Sequence, residues 1–161
     1  MRTVSFTCFL VIGTGLAHAQ SLPPQGEVNV TFTGTNTNVL KPMPIAGGKE
    51  FVVINQSMAA INAAGNPVLD NMGGRCQLTR TGDVGGKPPF EIRGWCTYAD
   101  KDGDQIFEQC ELPKCTLNGG TGKFEGIRAD LQITTSPIKS TYDGIAQVIG
   151  TKKGTYQIPK S

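Results

Sequence analysis

The 161 residues carry 15 Lys and Arg against 13 Asp and Glu, a single histidine and 7% aromatic residues. This near-neutral balance supplies no electrostatic basis for binding nucleic acid or an anionic membrane. The one histidine, His18, lies in an N-terminal leader. Once that leader is removed, Ser-His-Asp and Cys-His catalysis, His-containing zinc sites and a histidine pH switch are excluded within one chain.

The leader comprises Arg2, an apolar run over residues 4–16 and the small-x-small triplet Ala17-His18-Ala19. It reads as a secretory signal peptide, residues 1–19, because the apolar run is too short to span a bilayer. The expectation is a periplasmic or secreted protein without stable membrane insertion after cleavage. The leader also removes Cys8, leaving Cys76, Cys96, Cys110 and Cys115. An even number in an exported chain reads as two disulfides rather than thiols or metal ligands. The remainder divides into an extended leader, 20–26, and one domain, 27–161. About 140 residues suffice to bury roughly two-thirds of the unfolded surface.

In chain order, residues 27–33 alternate, with Val28, Val30 and Phe32 on one face and Asn29, Thr31 and Thr33 on the other, the pattern of a half-buried strand. Residues 34–48, rich in Asn, Thr and Pro, predict a long connection packed over a barrel end. Residues 49–64 return to strand character, although their alanine-rich end also suits a helical turn. Strands follow at 74–80 and 90–99. On the second, Phe90, Ile92, Gly94, Cys96 and Tyr98 share a face, and on the first Cys76 and Leu78 do. Pairing Cys76 with Cys96 turns both apolar faces inward. Closing that loop stabilises the fold by about 3 kcal/mol on the chain-entropy model.

The turn Asp100-Lys101-Asp102-Gly103-Asp104 places its glycine where a left-handed residue is wanted, and residues 105–111 return antiparallel. The parity of that pairing puts Ile106, Glu108 and Cys110 on the face of Cys96 and Tyr98, and Cys110 near Cys115 across a short loop. Residues 115–118 and 128–135 are further strands. Residues 142–150 and 154–158 predict a final hairpin about Lys152-Lys153-Gly154. Many short strands with regular turn signals and little or no helix indicate an all-β fold. A single antiparallel barrel of about eight strands is preferred, because closure removes open edges.

Three motifs bear on chemistry. Asp100, Asp102 and Asp104 are candidate weak calcium ligands. Against an EF-hand, glycine falls at the fourth position rather than the sixth, so a hairpin turn with solvated carboxylates is preferred. Residues 119–126 are glycine-dense, but Phe124 follows Lys123 where a phosphate loop needs Ser or Thr, and Glu125 replaces the last glycine of a dinucleotide fingerprint. No nucleotide or other cofactor is implied. Glu108 and Tyr98 form an inward polar pair able to serve acid-base chemistry on an apolar ligand. Arg75, Arg80, Arg93, Lys152 and Lys153 read as solvated, and Trp95 as covered by a connecting segment.

Gly74-Arg75-Cys76, Gly94-Trp95-Cys96, the Asp-Lys-Asp-Gly-Asp turn and Gly-Gly-Thr-Gly-Lys-Phe-Glu-Gly-Ile over 119–127 resemble, in order, a group of exported bacterial proteins of unknown function. That group looks like small relatives of the allene oxide cyclase and dirigent barrels. The resemblance runs from Met72 to the C-terminus. It implies an eight-stranded antiparallel barrel with an apolar interior able to admit a hydrophobic molecule. In allene oxide cyclases the shape of the pocket is held to direct cyclisation, assisted by a few polar groups, which find no residue-by-residue match here. Cys110 and Cys115 depart from the group, as do Ala129 and Asp130, where a further glycine is usual. The expected function is an exported, disulfide-stabilised barrel that binds a small apolar ligand or acts as an interaction module without catalysis. The alternatives are an isomerase or cyclase acting on a hydrophobic substrate inside the barrel, and a structural envelope protein.

Overall fold

The structure is a computed structural model and describes residues 22–85, 89–139 and 145–159. The expected signal peptide lies outside these residues. Among the described residues nine strands form in chain order: β1 (Gln25–Val39), β2 (Met43–Ile45), β3 (Lys49–Asn62), β4 (Met72–Asp83), β5 (Phe90–Ala99), β6 (Gln105–Glu111), β7 (Lys114–Gly120), β8 (Arg128–Ile138) and β9 (Gln147–Gln157). A single 3-10 turn, Gly122–Phe124, precedes β8.

Each strand from β3 to β8 pairs antiparallel with its successor, β9 pairs with β1, and β1 pairs with β3. The result is a closed eight-stranded antiparallel barrel in which β2 is a short addition. It lies beside β3 beyond the end of β1, with Met43 opposite Phe51. Closure satisfies every long edge, which an open sheet of this length would leave exposed.

Side chains alternate inward and outward along each strand. Val28, Val30 and Phe32 of β1, Met58 and Ala60 of β3, Cys96 and Tyr98 of β5 and Leu131 and Ile133 of β8 all face the interior. The two ends of the barrel differ. At the end holding the β3–β4, β5–β6 and β7–β8 connections, Val68, Leu69, Phe124 and Ile127 are completely buried and plug the lumen together with Tyr156. Asn62 holds the β3–β4 loop in place, donating from Nδ2 to the Val68 carbonyl at 2.7 Å and accepting at Oδ1 from Ala64 N–H at 2.9 Å. At the other end the lumen is lined by Leu78, Ile92, Leu112 and Val148, which remain only half-buried.

Four local expectations are corrected. Strand β1 takes in the last two residues of the segment 20–26, because Gln25 and Gly26 pair with Gln157 and Tyr156. Residues 34–48 do not close a barrel end. Their first part continues β1, paired with β3 through Val39, and Val39, Leu40, Met43 and Ile45 are exposed. The inward and outward alternation stops after Gly34, and pairing with β3 continues across a register irregularity between Asn36 and Asn38, so this polar part of the strand lacks the periodic signal of the first part. The C-terminal hairpin is one continuous strand, β9, paired along its whole length to β1 and β8, so Lys152-Lys153-Gly154 is not a turn. Finally, Trp95 is 64% exposed rather than covered.

Candidate functional site

The interior holds a polar cluster midway along the barrel. Register places Cys76 opposite Cys96, Cys96 opposite Glu108 and Cys110 opposite Cys115, so these side chains form one inward belt across four strands. Both disulfides are made, Cys76–Cys96 and Cys110–Cys115. Cys96, Glu108 and Cys110 lie within 4.8 Å of one another, but their sulfurs belong to disulfides and are not thiolate ligands.

Glu108 and Tyr98 both point inward, with 1% and 0% of their surface exposed. They are joined by a third group. Lys152 of β9, flanked across the sheet by Val30 and Ile133, is 1% exposed and donates to both Glu108 Oε2 and the Tyr98 hydroxyl, the latter at 2.9 Å. The Tyr98 hydroxyl lies 3.4 Å from the same carboxylate oxygen. The Lys152 ammonium also lies over the Phe32 and Tyr98 rings, at 5.2 and 4.9 Å from their centroids. The expectation that Lys152 is solvated is overturned, because the even positions of β9 face the lumen. Gly150 precedes it on that face and allows close packing: a Cβ there would stand 2.3 Å from the Thr134 carbonyl oxygen and 2.5 Å from Phe32 Cζ.

Burial sets the electrostatics of this trio. It pushes the Lys152 ammonium below the ordinary lysine range against the opposing pull of Glu108. It pushes the Tyr98 phenol well above its usual value, and the neighbouring carboxylate adds to that. Tyr98 is therefore a standing proton donor. Glu108 Oε1 is buried without a hydrogen-bond partner among the described residues.

A cavity of about 90 Å³ adjoins the cluster on the unplugged side. Phe32, Met58, Leu78, Ile92, Ile133 and Val148 supply most of its wall, both disulfides contribute, and Lys152 is the only charged residue among those lining it. An apolar recess with a few polar groups, here Lys152, Gln56 and Thr135, is the usual form of a small-molecule site.

The Asp100, Asp102 and Asp104 carboxylates converge, and they do so on the Lys123 ammonium. Lys123 pairs with Asp100, with Asp102 at 3.1 Å and with Asp104 at 3.6 Å. A calcium ion would have to displace it. The glycine-dense segment and the acidic turn are therefore two halves of one clamp. Gly122 is required at its centre: its φ is +56°, and a Cβ would stand 1.9 Å from Asp104 Oδ1. Lys123 N–H donates to Asp104 Oδ2 at 3.3 Å, and Gln105 N–H to Thr121 Oγ1 at 2.9 Å. Of the scattered arginines, Arg80 is paired with Glu50 at 2.5 Å near the open end, and Arg93 with Glu111 at 2.9 Å on the outside.

No protein-family model matches the chain. None of the curated proteins matches it either. Among solved structures, a pterocarpan synthase dirigent protein is similar, with a TM-score of 0.51 and 13% identity over 86% of this chain and 90% of that one. At that identity the likeness shows a shared barrel fold, and chemistry must be argued from the residues of this chain.

Proposed function

We propose that the protein is an exported, disulfide-stabilised barrel that takes a small apolar molecule into its open end and holds it without turnover. The observation that carries this reading is the asymmetry of the lumen. Among the described residues, one end is packed by Val68, Leu69, Phe124 and Ile127, whereas the other forms an apolar cavity of about 90 Å³ floored by Lys152. A fold that needed only stability would gain by filling both ends alike. Two disulfides support an oxidising compartment and hence export.

Toluene, which carries no polar group, tests the reading. Methyl NMR of the intact protein should show shifts at Met58, Leu78, Ile92, Ile133 and Val148 on titration, with Val68 and Leu69 at the plugged end unmoved. Uniform or absent shifts would remove the cavity as a binding site.

Lys152 lines the cavity and is hydrogen-bonded behind it to Tyr98 and Glu108, which favours one further reading, an isomerase or cyclase that polarises a hydrophobic substrate. On that reading Tyr98 donates a hydrogen bond and Glu108 balances the charge of Lys152. Glu108→Gln should then abolish an identified activity while toluene binding persists. Unchanged turnover would refute it.

A further inference from the structure

We infer that Lys152 is a carbonyl-capturing amine, and that the cavity holds apolar aldehydes or ketones as a reversible Schiff base. This inference rests on the cavity admitting apolar molecules, and it names their reactive group.

The placement of Lys152 is its main support. It is the one charged side chain among the residues lining the cavity, and the rest of the wall is mostly apolar. A buried ion pair is a poor source of stability, since well-packed apolar residues of similar volume commonly serve the fold as well or better. Here Lys152, paired with Glu108 behind it, lines the base of a recess instead of lying deep in the plugged end, where a purely structural pair would do equally well. Burial also favours the neutral amine, the nucleophilic form.

The surrounding groups complete the chemistry. A proton passes from the Lys152 ammonium to Glu108 Oε2, with which it is already hydrogen-bonded. The free Nζ attacks the carbonyl carbon, so that a C–N bond forms and the carbonyl C–O π bond breaks. The oxygen takes that proton from Glu108, directly or through the Tyr98 hydroxyl, and the nitrogen, left with an extra proton by the attack, returns it to the Glu108 carboxylate, giving a neutral carbinolamine. Glu108 passes this second proton to the same oxygen, the C–O bond breaks and one water leaves, and the resulting iminium keeps the single positive charge formerly on the ammonium. The Glu108 carboxylate remains its counter-ion, so capture exchanges one buried ion pair for another. No oxidant or reductant is needed. Glu108 Oε1, buried and unpartnered among the described residues, is free to accept from the carbinolamine hydroxyl. The apolar wall limits the water that would reverse the reaction.

The test treats the intact, disulfide-bonded protein with benzaldehyde and sodium cyanoborohydride, which reduces an iminium to a stable benzylamine, and then maps peptides by mass spectrometry. Lys152 should be benzylated about tenfold or more faster than the exposed Lys153, because the cavity positions the aldehyde against it. Excess toluene should slow Lys152 and leave Lys153 unaffected. Lys152→Arg keeps the charge and cannot form a reducible imine, so it should lose the cavity adduct while Lys153 is still benzylated. The wild-type comparison stands even if that variant fails to fold. Labelling at Lys152 no faster than at Lys153, with toluene shifts present, overturns carbonyl capture and leaves apolar binding intact. Absence of toluene shifts overturns both.

Discussion

Lys152 and Glu108, 44 residues apart in sequence, meet in the barrel lumen as an ion pair with 1% of either residue exposed. Strand β9 presents the ammonium and strand β6 the carboxylate, from different arcs of the barrel wall. Removing one partner leaves the other charge buried without its counter-ion. Lys152→Met or Glu108→Gln should therefore each destabilise the protein by about 3–5 kcal/mol. The double variant should recover most of that loss. Urea denaturation of all four proteins closes the cycle, and additive losses would show that the two groups are not coupled.

The acidic turn and the glycine segment should set limits to stability at both extremes of pH. Burial alone would raise the Asp100 carboxyl, but the Lys123 ammonium and the N–H groups of Asp102 and Asp104 outweigh it and hold it below its ordinary value. Hydrogen bonding to Asp100 is the main cause that pushes Lys123 up, to about 12. The Asp100 contribution is thus present above about pH 3.9 and is lost as pH falls through the depressed folded value. The Lys123 contribution is present below about pH 10.4 and is lost as pH rises. That loss continues through about 12. Lys123→Met should flatten both flanks of a stability-pH profile and lower the plateau by about 1 kcal/mol. Profiles of unchanged shape would dissolve the clamp.

The two disulfides should contribute unequally. Their sequence separations are 20 and 5 residues. The chain-entropy model assigns about 3 kcal/mol to the longer loop and about 2 kcal/mol to the shorter. Paired Cys→Ala replacements, compared by urea midpoint, should show the Cys76–Cys96 variant as the less stable. The reverse order would mean that the hairpin bridge restrains more than its own loop.

Gly150→Ala tests the packing beside Lys152. The added methyl meets the Thr134 carbonyl oxygen and the Phe32 ring at 2.3 and 2.5 Å, and one of these is backbone within the β8–β9 pair. A loss of about 1–3 kcal/mol is expected. A displaced Phe32 should also shift the toluene-sensitive methyls of Met58 and Ile133. Wild-type stability would show that β8 and β9 separate there without strain.

Tyrosine ionisation gives an independent measure of the lumen. Burial raises both the Tyr98 and Tyr156 phenols, the first well above its usual value. Absorbance at the tyrosinate band should therefore rise by less than three phenols' worth near pH 10 in the folded protein, and reach full amplitude only on unfolding. The linked stability is present below about pH 10 and falls as pH rises beyond it. A full step at pH 10 in the folded state would place these phenols in contact with water.

Much of the barrel was legible from parity alone. Cys76, Cys96, Tyr98 and Glu108 could be set on one face because side chains alternate along a strand and tight turns conserve that alternation between partners. The same reasoning put both disulfides in place. It failed at Lys152, where a Lys-Lys-Gly sequence imitates a turn. The signal was nevertheless there: Val148, Gly150, Lys152, Gly154 and Tyr156 form an alternating inward set once glycine is counted as a small interior residue. The reading failed likewise at residues 34–48, because polar outward positions leave a long strand with little periodic contrast.

What the sequence determined by itself was local: the faces of the strands around the cysteines, the acidic turn, the two cysteine pairs and the inward orientation of Glu108. Only the closed barrel decided which distant strands share the lumen, and therefore that Lys152 meets Glu108 and that Lys123 enters the acidic turn. It also decided that, among the described residues, one end is plugged while the other leaves an apolar recess. These are consequences of ring closure and of loops folding over a barrel end, and they depend on contacts between segments that no local periodicity connects.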